Sequence, residues 1–170
     1  MRKDFLVFGS PIIEQPEIDE VVASLKSGWI GTGPKVHRFE EMFKEYKGVE
    51  FAMALNSCTA ALHLSMLAIG IKSGDEVIVP TMTFAATANA VIHAGGIPVF
   101  TDCERGTMNI DPDDIERKIT PKTKAILPVH FAGRSCNMDA IRTVSLSAKL
   151  TDKDVEDVIG AVGEITKEIV

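Results

Sequence analysis

The sequence predicts an α/β fold, a mostly parallel sheet flanked by helices. Three observations carry this. Short apolar runs at 51–55, 76–79, 97–101 and 123–129 suit buried strands. Helical stretches, 59–69 and 84–94 among them, separate these runs. Glycine, proline and small polar residues punctuate the joins. Strand, helix, strand at this spacing means βαβ units with right-handed crossovers.

Taken in order, Phe8-Gly9-Ser10-Pro11 is an extended or turn segment. Residues 16–26 form a helix with Ile18, Val21, Val22 and Leu25 on one face, ended by Gly28. A glycine-rich loop follows at 29–34. Its Gly31-Thr32-Gly33 is not a dinucleotide fingerprint, because no strand precedes it and position 36 is Val. Pro34 opens a second helix that runs to about Tyr46 and stops at Gly48, with Val36, Phe39, Met42 and Phe43 inward. The run 51–55 is then a strand, and Asn56 and Ser57 are turn and cap. Residues 59–69 are almost wholly apolar, so this helix should be buried on most sides, and Gly70 ends it. Residues 72–75 turn into the strand 76–79, and the small-residue helix 84–94 can pack closely on a sheet. Gly95-Gly96 leads to the strand 97–101. Asp111-Pro112-Asp113-Asp114 opens a short helix with acidic residues where the helix dipole favours them. The strand 123–129 follows.

At 170 residues the chain can bury a real core, as one domain with at most a small appendage. Apolar residues are 45%, charged residues 25%, and the net charge is −6. No basic patch suggests nucleic acid, and no apolar run approaches a membrane span. Met1-Arg2-Lys3-Asp4 lacks the apolar segment of a signal peptide. Cys58, Cys103 and Cys136 are widely spaced, which suggests a reducing cytoplasm and no structural zinc. His37, His63 and His93 have no second ligand at metal spacing in the sequence, so no metal site is expected.

The stretch Ser57-Cys58-Thr59 sits where the helix 59–69 begins. A helix N-terminus offers unpaired N–H groups and partial positive charge, so small hydroxylated residues there make a phosphate cup. An ordinary capped helix is the alternative. The neighbours of this stretch bear on the choice. Ser57-Cys58-Thr59-Ala60-Ala61-Leu62-His63 is followed by Val77-Ile78-Val79-Pro80-Thr81-Met82-Thr83-Phe84, by Gly96-Ile97-Pro98-Val99-Phe100-Thr101-Asp102, and by Pro128-Val129-His130-Phe131-Ala132-Gly133. This series closely resembles the DegT/DnrJ/EryC1/StrS family of pyridoxal-phosphate-dependent sugar aminotransferases. Gly33, Pro34, Val36, Phe39 and Glu40 also match the family pattern. Cys58 departs from the usual small residue, which changes little if the position contributes its backbone N–H.

The resemblance implies part of a fold-type I large domain binding pyridoxal 5′-phosphate. It implies cofactor contacts from Ser57, Cys58 and Thr59, with Phe84 matching the aromatic that stacks on the cofactor ring; plain core is the other reading of Phe84. Asn89 and His130 hold family-like positions; His130 is expected to satisfy nearby backbone groups, and Asp102 to cap a loop. The implied partners are a nucleotide-linked keto-sugar, an amino acid donor (commonly glutamate) and a second copy in a homodimer.

Near Asp139 the pattern breaks. Asn137-Met138-Asp139-Ala140-Ile141 resembles the family's opening of a further helix, which is expected not to continue. Residues 144–155 resemble the family's extreme C-terminus instead, and Val155, Val158, Ile159, Val162, Ile165 and Ile169 form one apolar stripe. The chain divides on this basis into a partial large domain, 1–142, and a C-terminal segment, 143–170. The family's Schiff-base lysine and pyridinium aspartate belong to the intervening part, and no segment here resembles either. No catalytic residue and no covalent cofactor attachment are therefore expected. A non-catalytic remnant or self-associating binding module is the alternative to an enzyme.

Overall fold

A computed structural model describes residues 11–147. Phe8 to Ser10 and the apolar stripe expected at 155–169 lie outside the described residues. The described chain falls into two compact units, divided between Ala54 and Leu55.

The first unit carries α1 (Gln15–Ser27) and α2 (Pro34–Lys47). Both end at a glycine in the left-handed region, Gly28 at φ 77° and Gly48 at φ 66°, where a side chain would be strained. Lys35 pairs with Glu20. The helical periods are as expected; the burial is not. No residue of α1 or α2 is buried, and Val21, Leu25, Phe39 and Met42 are exposed. Two short helices have too little surface between them to enclose an apolar stripe on each.

The run 51–55, expected as a strand, is not one. Phe51 and Met53 are 80% and 78% exposed. The Ala54 N–H donates to the Glu40 carboxylate at 2.9 Å rather than to a neighbouring strand. A strand exists only where another strand completes its ladder, and no described strand lies against this run.

The second unit is a three-layer α/β sandwich. Its elements are α3 (Cys58–Ala68), β1 (Glu76–Pro80), α4 (Ala86–His93), β2 (Ile97–Thr101), α5 (Pro112–Lys118), β3 (Thr123–Ile126) and α6 (Met138–Ser147). The sheet has three parallel strands in the order β2-β1-β3. Val77 lies opposite Pro98 and Ala125, and Ile78 opposite Val99 and Ile126. Successive side chains on β1 point to opposite faces. Val77 and Val79 pack with Met66, Ala90 and Val91 of α3 and α4. Ile78 packs with Ile115 and Ile141 of α5 and α6. These three β1 residues are fully buried, and each contributes about 1.5–3 kcal/mol relative to exposure. Pro98 is tolerated because β2 is an edge strand. Gly96 is required for a different reason: a Cβ there would meet Ile71 Cγ2 at 2.7 Å.

Three expectations are corrected in this unit. Helix α3 is buried along one line only: Met66 is buried, while Leu64 and Leu67 face outward. Strand β3 stops at Ile126, because the Leu127 N–H makes the last rung to the Ile78 carbonyl and Pro128 has no N–H to give. Helix α6 does not stop after Ile141. It runs through 142–144 to Ser147, with no glycine or proline to break it, and the proposed joint falls inside it. Ile141 is buried and Val144 packs on the same cluster, which draws the helix along the sheet. Among the described residues no helix is long and apolar enough to cross a membrane.

Candidate cofactor site

Ligands of parallel α/β sheets bind beyond the carboxyl ends of the strands. Here that edge consists of the loops after Pro80, Thr101 and Ile126. Helix α3 reaches it from below. A short turn joins α3 to β1, so the helix runs against the strand direction. Eleven helical residues and five strand residues both span about 16 Å, which carries the start of α3 up to the carboxyl end of β1. The sheet thus places Ser57, Cys58 and Thr59 at the same end as Phe84.

The cap itself is well formed. Ser57 is extended, at φ −162° and ψ 154°, and its Oγ accepts the Ala60 N–H at 3.1 Å. The Ala61 N–H donates to the Ser57 carbonyl. The Cys58 and Thr59 N–H groups, which precede the first helical bond, are left to point outward at the positive end of the helix. All three residues are exposed. This is the donor set a phosphate monoester takes. Phe84 follows β1 and is 80% exposed, so the plain-core reading of it does not hold. Asn89, on α4, is exposed.

A second feature of this edge was not read from the sequence. Asn109 is buried and ties two loops together. Its Nδ2 donates to the carbonyls of Arg134 and Ser135, both at 3.0 Å, and its Oδ1 accepts the Phe131 N–H at 2.9 Å. Met108 (φ 60°) and Ala132 (φ 51°) flank these bonds in the left-handed region, a conformation that side-chain-bearing residues hold only when their surroundings impose it. One asparagine in a polar loop carries no sequence signal of such a role. His130 behaves as expected: its Nδ1 accepts the Cys136 N–H at 3.0 Å, and burial holds its imidazole below the usual range. The Cys136 thiol, donating to the Val129 carbonyl, is pushed up by burial. Asp102 caps its loop by accepting the Cys103 N–H at 2.8 Å.

Asp114 was also missed as a structural acid. Lys118 at 2.7 Å, the Asp102 N–H at 2.7 Å and Arg117 at 3.0 Å all donate to its carboxylate. Together, with Lys118 foremost, they hold its pKa down to about 2. This anchors α5 below β2.

Among the described residues, those at this edge have the donors to fit the phosphate end of pyridoxal phosphate, and none of them is a lysine. No lysine occurs in 81–85, 102–111 or 127–137, the three strand-end loops. The lysines of this unit's described part sit elsewhere: Lys118 on α5 donates to the Phe100 carbonyl, and Lys72, Lys122 and Lys124 precede or begin strands.

Residues 11–168 match the DegT/DnrJ/EryC1/StrS aminotransferase family. The spore coat polysaccharide biosynthesis protein SpsC of Bacillus subtilis is 51% identical over 144 residues, which is 85% of this chain and 37% of that protein. The uncharacterized MJ1066 of Methanocaldococcus jannaschii is 48% identical over 96% of this chain and 42% of its own length. Spr1654 of Streptococcus pneumoniae, described as a sugar aminotransferase and solved with pyridoxamine phosphate, superposes with a TM-score of 0.76 at 42% identity, over 82% of this chain and 35% of that one. The chain thus spans well under half the length of these relatives, and its sheet is part of a fold-type I aminotransferase domain. On its sequence and its fold, the chain belongs to the DegT/DnrJ/EryC1/StrS aminotransferase family.

Proposed function

We propose that this chain is the phosphate-binding part of a pyridoxal-phosphate-dependent sugar aminotransferase and does not complete transamination alone. The carrying observation is the α3 N-terminus at the sheet's carboxyl edge, with Ser57 as cap and the Cys58 and Thr59 N–H groups directed outward. In the whole enzyme the substrates are a nucleotide-linked keto-sugar and an amino acid donor, and the product serves polysaccharide biosynthesis, as the name of SpsC suggests.

Pyridoxal phosphate, when bound, supplies the electron sink for moving an amino group. The residues of this chain contribute binding. Cys58 and Thr59 would donate their backbone N–H groups to its phosphate, the Ser57 hydroxyl orders the first helical turn, and Phe84 would offer its exposed face to the ring. No step follows from the described residues beyond that, because no lysine stands at the edge to move a proton.

Titration of the 170-residue chain with pyridoxal phosphate, followed by absorbance, tests this. Binding should be weak, competed by inorganic phosphate, and lowered several-fold by Phe84→Ala. A glutamate and keto-sugar assay should give no turnover. Transamination that disappears on substituting one lysine would overturn the proposal.

A second reading concerns assembly. Both outer edges of the three-stranded sheet are unpaired among the described residues, and α1 and α2 bury nothing. Such edges and faces favour self-association. Light scattering should show a dimer or larger species, in a cytoplasmic protein; a monodisperse monomer would count against it.

A further inference from the structure

The two edges of the sheet are built differently. A strand turns the N–H and C=O of one residue to one side and those of the next residue to the other. On β2 the Ile97 N–H donates to the Asp75 carbonyl and the Thr101 carbonyl accepts the Thr81 N–H, so Pro98 and Phe100 face outward. Pro98 has no N–H to offer, and the Phe100 carbonyl already accepts Lys118 Nζ at 2.6 Å. Ile97 and Phe100 are exposed. This edge is closed against a further strand.

The β3 edge is not. The Leu127 N–H donates to the Ile78 carbonyl at 2.8 Å, so Ile126 faces outward. Its N–H and C=O have no partner among the described residues, yet Ile126 is only 6% exposed. Ala125 and Leu127 are covered from α3 and α4, and Ile126 from α5 and α6. An outer strand sealed on both faces, with buried backbone groups left unpaired, is built like a strand from the interior of a parallel sheet.

Chain direction gives the same answer. Strand β2 reaches β3 through α5, past β1, and α6 follows β3 on the α5 face of the sheet. Crossovers of one hand on one face move the same way across a sheet. Strand β1 reaches β2 through α4 on the other face and moves the opposite way, as this requires. The strand after α6 therefore belongs beyond β3. The residues after Ser147 do not read as that strand, because Val155, Val158, Ile159 and Val162 recur at helical spacing. The chain spans 37% of SpsC, which leaves the remainder of such a relative to supply it.

We propose that the outer edge of β3 receives a parallel strand from a family-length remainder, of the kind SpsC carries beyond the part shared with this chain. The parallel direction matters. It delivers that strand's carboxyl-end loop beside the loop after Ile126, at the edge that holds Ser57, Cys58 and Thr59 and whose described loops hold no lysine. A second copy paired about a two-fold axis would run antiparallel and send its loops to the opposite end. What the incoming loop does there rests on the aminotransferase reading; the pairing of the edge does not.

The test co-expresses the 170-residue chain with a tagged polypeptide comprising SpsC outside the 144 matched residues, and compares amide exchange in the purified complex and in the chain alone. A one-to-one complex is expected, with exchange of the Ile126 N–H slowed at least tenfold and that of the Phe100 N–H unchanged. Ile126→Pro deletes the outward N–H and should weaken the complex at least tenfold, whereas Phe100→Pro, the same change on the other edge, should leave it intact. If Ile126→Pro fails to fold by circular dichroism, the exchange comparison decides alone. No complex, protection at Phe100 instead, or an Ile126 N–H already protected in the chain alone, by a second copy or by 148–170, overturns the proposal. Failure of the aminotransferase reading shows separately, as no pyridoxal phosphate binding by a chain that still forms the complex.

Discussion

Two five-residue runs, 51–55 and Glu76–Pro80, look alike in the sequence and end differently in the fold. Both are apolar and both precede a helix. The second is the central strand of the sheet, paired on both sides and sealed on both faces. The first is paired to nothing described, and one carboxylate oxygen holds its one recorded hydrogen bond. A run's own residues set its readiness to be a strand; its partners decide whether it becomes one.

The largest expected effect comes from treating the two runs alike. Ile78→Ala should cost about 2–5 kcal/mol, because it empties volume between β1 and the α5–α6 layer. Met53→Ala should change stability by about 0.5 kcal/mol or less, since its side chain is 78% exposed. Urea unfolding of both variants checks this. Equal costs would mean that 51–55 is packed in solution in a way the described contacts do not include.

The same distinction separates what was legible from what was not. The βαβ order, the glycine stops at Gly28, Gly48 and Gly70, and the Ser57 cap are local signals, and all are present. The burial of α1, α2 and α3 was overestimated because a stripe such as Ile18, Val21, Val22 and Leu25 shows which face would be buried, not whether anything covers it. Motif order located the phosphate end of the site. Asn109 and the His63–His93 ring contact were invisible for the opposite reason: each acts across a sequence separation that no periodicity spans, and so does the Asp102 N–H that completes the helical-period pairs of Asp114 with Arg117 and Lys118.

Asn109 sharpens the contrast, because here a single polar side chain does hold a segment in place. Asn109→Ala leaves the Arg134 and Ser135 carbonyls and the Phe131 N–H without their partner. The cost should be about 1–3 kcal/mol, with faster amide exchange confined to 130–135. A global rise in exchange without that local signature would show that Asn109 is ordinary core.

The smallest effect is a pH dependence that sets Asp114 beside Glu40, the other carboxylate that accepts a backbone N–H across a loop. Asp114 receives three donors, and its pKa of about 2 lies below the ordinary 3.8. Its ionised form is therefore the one the fold favours. That stabilisation is complete above about pH 4 and is lost as pH falls from there through about 2. Acid unfolding followed by circular dichroism should show this decline, and Asp114→Asn, which lacks the titrating proton, should flatten it while lowering stability at pH 7. Glu40→Gln should leave the profile of the sheet unit unchanged, because its single hydrogen bond lies in the other unit. An acid profile that Asp114→Asn does not alter would show that the Lys118 and Arg117 pairs are too well screened by water to matter, as exposed ion pairs often are.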